Sequence, residues 1–177
     1  MEYFKKMRGG AQSPPRVGLS VIIWSWVGAI LGMAAVTFIH YRLLDGTALV
    51  MLIGSFGASA VLIYGAIESP MAQPRNLLGG HIISAIIGVA AYRLLPGPVL
   101  AGSVAVATAI AAMHLTRTLH PPGGATALIA VIGGARIHAL GFLYALAPAG
   151  AGASVMLAVA LLVNNIPRGR KYPAFWY

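Results

Sequence analysis

The sequence contains no cysteine, and its only acidic residues are Glu2, Asp45 and Glu68. The first absence excludes disulfides, thiolate metal sites and thiol catalysis. The second excludes hydrolysis by paired carboxylates, because no two of these acids are close in sequence. Five histidines stand at positions 40, 81, 114, 120 and 138, with no HExxH and no neighbouring carboxylates, so no metal site is expected. Neither a phosphate-binding loop nor a glycine-rich dinucleotide fingerprint is present. An enzyme is therefore not expected, and no cofactor is implied. Charge is scarce altogether: 8% of residues are Asp, Glu, Lys or Arg, and 59% are hydrophobic. A soluble domain carries about 25% charged residues, so this inventory cannot cover a globule in water and the surrounding solvent must be lipid.

What charge there is amounts to a net +9. Such an excess can signal nucleic acid, but the placement points to a bilayer instead. Lys5, Lys6, Arg8 and Arg16 precede the first apolar run, while Arg168, Arg170 and Lys171 follow the last. Residues 1–16 show no cleavable signal or transit pattern. The layout is a basic cytoplasmic tail at 1–18, a membrane domain at 19–166, and a basic, aromatic tail at 167–177. In that last tail Tyr172, Phe175, Trp176 and Tyr177 read as an interfacial anchor. A bacterial inner (plasma) membrane is the expected location.

The apolar runs are Leu19 to Ile39, Ala48 to Ile67, Leu77 to Leu95, Val99 to Leu115, Ala125 to Ile132 and Ala139 to Ile166. The first carries Gly28-x-x-x-Gly32, a spacing that lets a second helix approach closely. The second holds the small-residue stretch GSFGAS at 54–59, so one of its faces should bury against protein. Leu95-Pro96-Gly97-Pro98 is a tight turn joining two runs as a hairpin. The last run is loosened by Pro148 and the glycines at 150 and 152. The expected fold is all-α, a polytopic transmembrane bundle of about six short spans.

Two polar segments interrupt it. One is ESPMAQPRN at 68–76, with Pro70 and Pro74; the other is TRTLHPPGG at 116–124, with Pro121 and Pro122. Proline removes a backbone donor, so no lipid-facing helix continues through either. At an offset of 48, Gly54-Ser55 falls on Gly102-Ser103 and Pro74 on Pro122, which suggests a parallel internal repeat with both breaks on one side. Six crossings put both termini in the cytoplasm. Lys5, Lys6, Arg8, Arg16, Arg75, Arg117, Arg168, Arg170 and Lys171 then lie inside, and Arg42, Arg93 and Arg136 outside. A fifth segment that dips and returns gives seven against five, so the positive-inside rule favours six.

The breaks suit an ion. Pro121 and Pro122 fit the first turn of a helix, where free amides of Gly123, Gly124 and Ala125 would meet the positive end of the helix dipole. Arg117 and His120 add charge and donors, Thr118 and Thr126 add hydroxyls, and Arg75, Asn76 and His81 repeat the theme at the first break. The expected substrate site is Arg117, His120, Gly123, Gly124, Thr126, Arg75, Asn76 and His81, and the expected ligand is a small inorganic anion. Glu68 is expected to pair with Arg75 or Arg117, and His114 to be a helix-packing or cavity residue rather than a ligand. Because histidine titrates near neutral pH, His120 or His81 is also a candidate proton carrier. The small-residue faces could pack helices between chains, and a homo-oligomer is expected.

GSFGASAVL at 54–62, SPMAQPRN at 69–76, GGH at 79–81 and TRTLHPPGGATAL at 116–128 resemble the HPP family, integral membrane proteins named for the motif that here is His120-Pro121-Pro122. The resemblance implies a small membrane protein, often described with four spans, with plastid and cyanobacterial members associated with nitrite transport. Some relatives carry a soluble C-terminal domain, which this chain is expected to lack. The function expected from residues and resemblance together is transport of a small monovalent anion, nitrite above others. A passive anion channel and a structural or assembly protein are the alternatives.

Overall fold

The computed structural model describes residues 2–177. After a short helix α1 (Glu2–Lys5) and a 3-10 turn at Lys6–Arg8 the chain is irregular up to α2 (Leu19–Leu43), whose last turn widens to π geometry. Then follow α3 (Ser55–Gly65), α4 (Pro74–Leu94), α5 (Pro98–Leu115), α6 (Pro121–Ile132), α7 (Gly134–Leu140) and α8 (Ala145–Val163). No strand forms among the described residues. Helices α2, α4, α5 and α8 are long and apolar enough to cross a membrane, and a fifth span results if α6 and α7, bent by 101° at Gly133, count as one.

Two expected spans take a different form. The run from Ala48 to Ile67 is not one helix: residues 48–53 are non-helical, and only Ser55–Gly65, 11 residues, is coiled. Ser55 and Ser59 are buried against neighbouring helices, while Gly54, Gly57 and Gly65 lower helix propensity and do not favour a long helix. The run from Ala139 to Ile166 is likewise interrupted. Helix α7 ends at Gly141, φ +52, and α8 carries a non-helical Ala147, φ −138, directly before Pro148, as the residue preceding a proline requires.

Contacts sort the chain into two ends. At one end the tail residue Arg170 donates to the Val21 carbonyl at 3.3 Å and the Tyr64 carbonyl at 2.8 Å, joining the start of α2 to the end of α3. Both broken segments lie at this same end: Arg75 donates to the Thr116 carbonyl at 2.7 Å and Asn76 to the Leu119 carbonyl at 2.9 Å. At the opposite end Met51 N–H donates to His40 Nδ1, Arg136 reaches the Thr47 carbonyl, and Arg93 lies 5.1 Å from the Phe142 ring centre. Between the ends α4 runs beside α6, with α5 packed on both.

Helices in lipid gain little from burying apolar surface, so close packing and hydrogen bonds must hold them. Gly28 and Gly32 are both buried against the Tyr64 ring; a Cβ at Gly28 would stand 2.7 Å from Tyr64 Cδ1, and one at Gly32 would overlap the phenol. Tyr64 fills that notch and donates to the Met156 carbonyl at 3.0 Å, locking α2, α3 and α8 together.

The tail after α8 folds back on the first break. Tyr172 is buried and its hydroxyl donates to the Ala72 carbonyl at 2.7 Å, so it is a core residue rather than an interfacial anchor; Phe175, Trp176 and Tyr177 are exposed. Burial raises the Tyr172 phenol above its ordinary range, which keeps it a donor. Gln73 is fully buried, donating to the Ile67 and Ser69 carbonyls at 2.8 Å and accepting from Ala174 N–H at 2.8 Å. Glu68 pairs with neither Arg75 nor Arg117: it lines a crevice with Arg170, and the single ion pair among the described residues is Lys5 with Glu2. Arg75 satisfies the Thr116 carbonyl instead.

Candidate functional site

Proline builds this site. His120 precedes Pro121 and is held extended at φ −141, ψ 104, because the pyrrolidine ring disfavours the helical conformation in the residue before it. Helix α6 starts at Pro121, and the His120 side chain turns inward over α4. Gly80 makes room, since a Cβ there would stand 2.5 Å from His120 Cβ. Pro74 opens α4 in the same way behind an extended Gln73, and places His81 two turns along that helix.

The two imidazoles meet in the interior. His81 and His120 are both 0% exposed, with ring centres 5.1 Å apart. One hydroxyl bridges them: Ser59 Oγ lies 2.7 Å from His81 Nε2 and 2.9 Å from His120 Nε2. The outer nitrogens are held too, His120 Nδ1 by the Met71 carbonyl at 2.8 Å and His81 Nδ1 by Thr126 Oγ1 at 2.7 Å. Thr126 Oγ1 lies 2.8 Å from Ser55 Oγ and 3.2 Å from the Pro122 carbonyl, and Tyr144 donates to the Thr126 carbonyl at 3.0 Å. Phe56 packs edge-on to His81, with ring centres 5.2 Å apart.

These residues form a linear array of two imidazoles and three hydroxyls, with no carboxylate. Among the described residues no three His, Cys, Asp or Glu side chains come together as a metal site. Polar side chains this deep in a membrane domain are costly unless mutually satisfied, and they mark functional positions.

Of the residues expected from sequence, His81, His120 and Thr126 converge. Arg75 and Asn76 do not touch them; they staple α4 to the carbonyls of the second break. Gly123 is a packing residue, with Gly80 O and Ser84 Oγ each 2.8 Å from where its Cβ would be. Its amide is not free, because it donates to the His120 carbonyl at 2.8 Å. Of the amides expected to stay open, that of Gly123 is thus used, and the two positions before it are prolines without N–H. Gly124 faces a groove shared with Met71, Met113, His114 and Pro121, so of its two expected placements His114 takes the cavity one, on an open face.

Arg117 stands exposed at the mouth of the second break at φ +57. Its guanidinium has no hydrogen-bond or ion-pair partner among the described residues. Backbone bonds from Arg117 N–H to His114 O and from Thr118 N–H to Met113 O close α5 with the paired pattern that usually places glycine where Arg117 is. Ser55 and Ser59 are the site residues that sequence reading misses. They were legible only as two hydroxyls four apart on one helical face, a spacing equally suited to plain packing.

The chain matches the family described as HPP, transmembrane region, over residues 14–173. It belongs to the HPP transmembrane family. Within that family it is similar to a transmembrane protein of Dictyostelium discoideum, 47% identical over 181 residues, spanning all of this chain and 58% of the relative. A second Dictyostelium discoideum transmembrane protein is 43% identical over 183 residues, again across all of this chain and 64% of the relative. This HPP chain therefore covers less than two thirds of the length of the curated relatives it matches. No solved structure matches it.

Proposed function

We propose that this HPP protein moves a small monovalent anion across the membrane, nitrite being the best single substrate, with the His81–Ser59–His120–Thr126 array as its inner site. The observation that carries the reading is a buried set of imidazole and hydroxyl donors, free of carboxylates, placed where two proline-broken helices begin. Such a set exchanges water for hydrogen bonds around a monoanion and offers a cation nothing charged to bind. Half-buried Arg75 and exposed Arg117 stand at the entrance and attract anions toward it. The name nitrite comes from the family resemblance. Both termini are assigned to the cytoplasmic side, because the end that gathers the breaks and the tail carries the larger share of Lys and Arg.

A gated carrier is favoured over an open pore by the packing at the array, where Ser59, His81 and His120 have no exposed surface. Opening requires α3, or the 116–120 segment, to move off α4. The structural or assembly reading draws on one fact, that every polar atom of the array already has a partner.

Uptake of nitrite, nitrate, formate and chloride into liposomes containing the purified protein tests this. Saturable uptake of at least one anion is expected, falling at least ten-fold in His81→Ala and several-fold in Arg117→Ala. No uptake of any of the four would leave the structural reading standing.

A further inference from the structure

We infer that the array is a proton relay in which a single added proton reverses every hydrogen bond from Ser55 to His120. This deepens the transport reading, because it assigns a proton pathway to the same site. Donor inventory alone leads to it. The Met71 carbonyl can only accept, so His120 Nδ1 carries a hydrogen. In neutral His120 the Nε2 atom is then bare and must accept. Ser59 has one proton to give; the Ser55 carbonyl at 3.4 Å is a long contact beside the two Nε2 atoms at 2.7 and 2.9 Å, so Ser59 donates to the bare His120 Nε2 and accepts from His81. His81 therefore carries its hydrogen on Nε2, and its bare Nδ1 accepts from Thr126. Thr126 Oγ1 and Ser55 Oγ lie 2.8 Å apart in the geometry of a Thr126 donor, and once the Thr126 proton is committed to His81 Nδ1 the Ser55 hydroxyl supplies the hydrogen of that bond. The two histidines hold opposite tautomers, and Ser59 fixes the difference.

Now let one proton arrive at Ser55. Ser55 passes its own proton to Thr126 Oγ1, and Thr126 protonates His81 Nδ1. His81 releases Nε2–H to Ser59, and Ser59 protonates His120 Nε2. Each O–H or N–H bond broken is replaced by one formed on the next atom, and the charge ends on His120 with both ring nitrogens protonated. His81 is neutral again but in the other tautomer, donating from Nδ1 to Thr126, which donates to Ser55 or to the Pro122 carbonyl. His120 then gives its Nδ1–H to water entering from the groove beside Met71, which carries the proton away as hydronium; this completes the passage of one proton, and turning of the rings and hydroxyls resets the relay.

The surroundings suit this traffic. The residue before Ser55, Gly54, lines a crevice of about 410 Å³ with His40 and Arg136 at the opposite end of the molecule. Met71, at the other terminus of the relay, lines a separate groove of about 610 Å³ with Pro121 and His114. Between the two, Ser55, Ser59, His81, His120 and Thr126 are sealed. Protons can cross such a stretch by hopping along hydrogen bonds, whereas an ion needs the helices to part. The groups facing the histidines are Ser55, Ser59 and Phe56 from α3, Thr126 from α6, the Met71 carbonyl from the first break, and Tyr144 one bond removed. Apart from the imidazoles only Tyr144 titrates, and none of these groups carries a fixed charge.

The test uses the full chain labelled with 15N-histidine in lipid and read by solid-state NMR across pH. At high pH His120 is expected as the Nδ1–H form and His81 as the Nε2–H form. On acidification His81 should switch to Nδ1–H in the same step that doubly protonates His120. In Ser59→Ala the two rings should titrate independently. In parallel, liposomes loaded with a pH-sensitive dye and driven by a potassium diffusion potential should acidify at least ten-fold faster with the wild-type protein than without protein, and Ser59→Ala should return to background. Fixed tautomers throughout, or wild-type acidification at background, would overturn the relay. Nitrite uptake without the tautomer switch would sink the relay but keep the transport reading. The switch and proton flux without uptake of any anion would do the reverse.

Discussion

Arg117 and Gly32 show how one residue's conformation can outweigh its chemistry. Arg117 sits in the left-handed region at the end of α5, where a side chain costs about 1–2 kcal/mol relative to glycine. Arg117→Gly is expected to raise stability by that order in thermal unfolding in detergent, so any loss of anion uptake in this variant reports on the charge and not on folding. A fall in melting temperature would contradict the helix-end geometry. Gly32 is the opposite case, because its missing side chain is the space that Tyr64 occupies. Gly32→Leu should destabilise by at least about 1–3 kcal/mol, the usual overpacking cost. Gly57 has nothing within 4 Å of its would-be Cβ, and Gly57→Ala should change stability by less than about 0.5 kcal/mol. Equal effects at the two glycines would refute the Tyr64 notch.

The first break shows an element made by its partners. Residues 66–73 lack a helix of useful length, yet their carbonyls are taken by Gln73, His120 and Tyr172. The tail thus bonds Ala72 and Gln73, directly after Met71, whose carbonyl fixes the His120 tautomer. Gln73→Leu leaves the buried Ile67 carbonyl without its partner, at roughly 1–3 kcal/mol, and releases the Ala174 amide of the tail. Tyr172→Phe removes one bond and should cost about 1 kcal/mol. Limited proteolysis should cut the 166–177 tail faster in both variants, more so in Gln73→Leu. Unchanged cleavage would mean that the tail is not anchored there. The helix starts at Pro74 and Pro121 were legible in the sequence, since proline in a first turn is a local preference. Closure of the Gly123 amide was not, because it depends on how tightly the first turn winds above His120.

Across the whole molecule, the two ends predict an orientation. The natural lack of cysteine gives a clean background for single-cysteine labelling with a membrane-impermeant maleimide. Gln12→Cys and Phe175→Cys should label from one side, and Gly46→Cys and Gly97→Cys from the other. Labelling of Gly97→Cys and Gln12→Cys from the same face would rule out the arrangement of α2, α4 and α5 between two ends.

Residence in lipid, the positions of both breaks and membership of the membrane class followed from the sequence by itself, because they rest on composition and on proline's fixed backbone, which are sums and local rules. The meeting of His81 with His120 belongs to the tertiary structure. Its hinge is Ser59, 22 residues from one imidazole and 61 from the other, a serine that looks like any small residue in a packing stripe. Which hydroxyl faces which nitrogen depends on the depth and rotation of three helices against one another, and hydrogen bonds fall off within tenths of an ångström. Only the packed molecule fixes distances that fine.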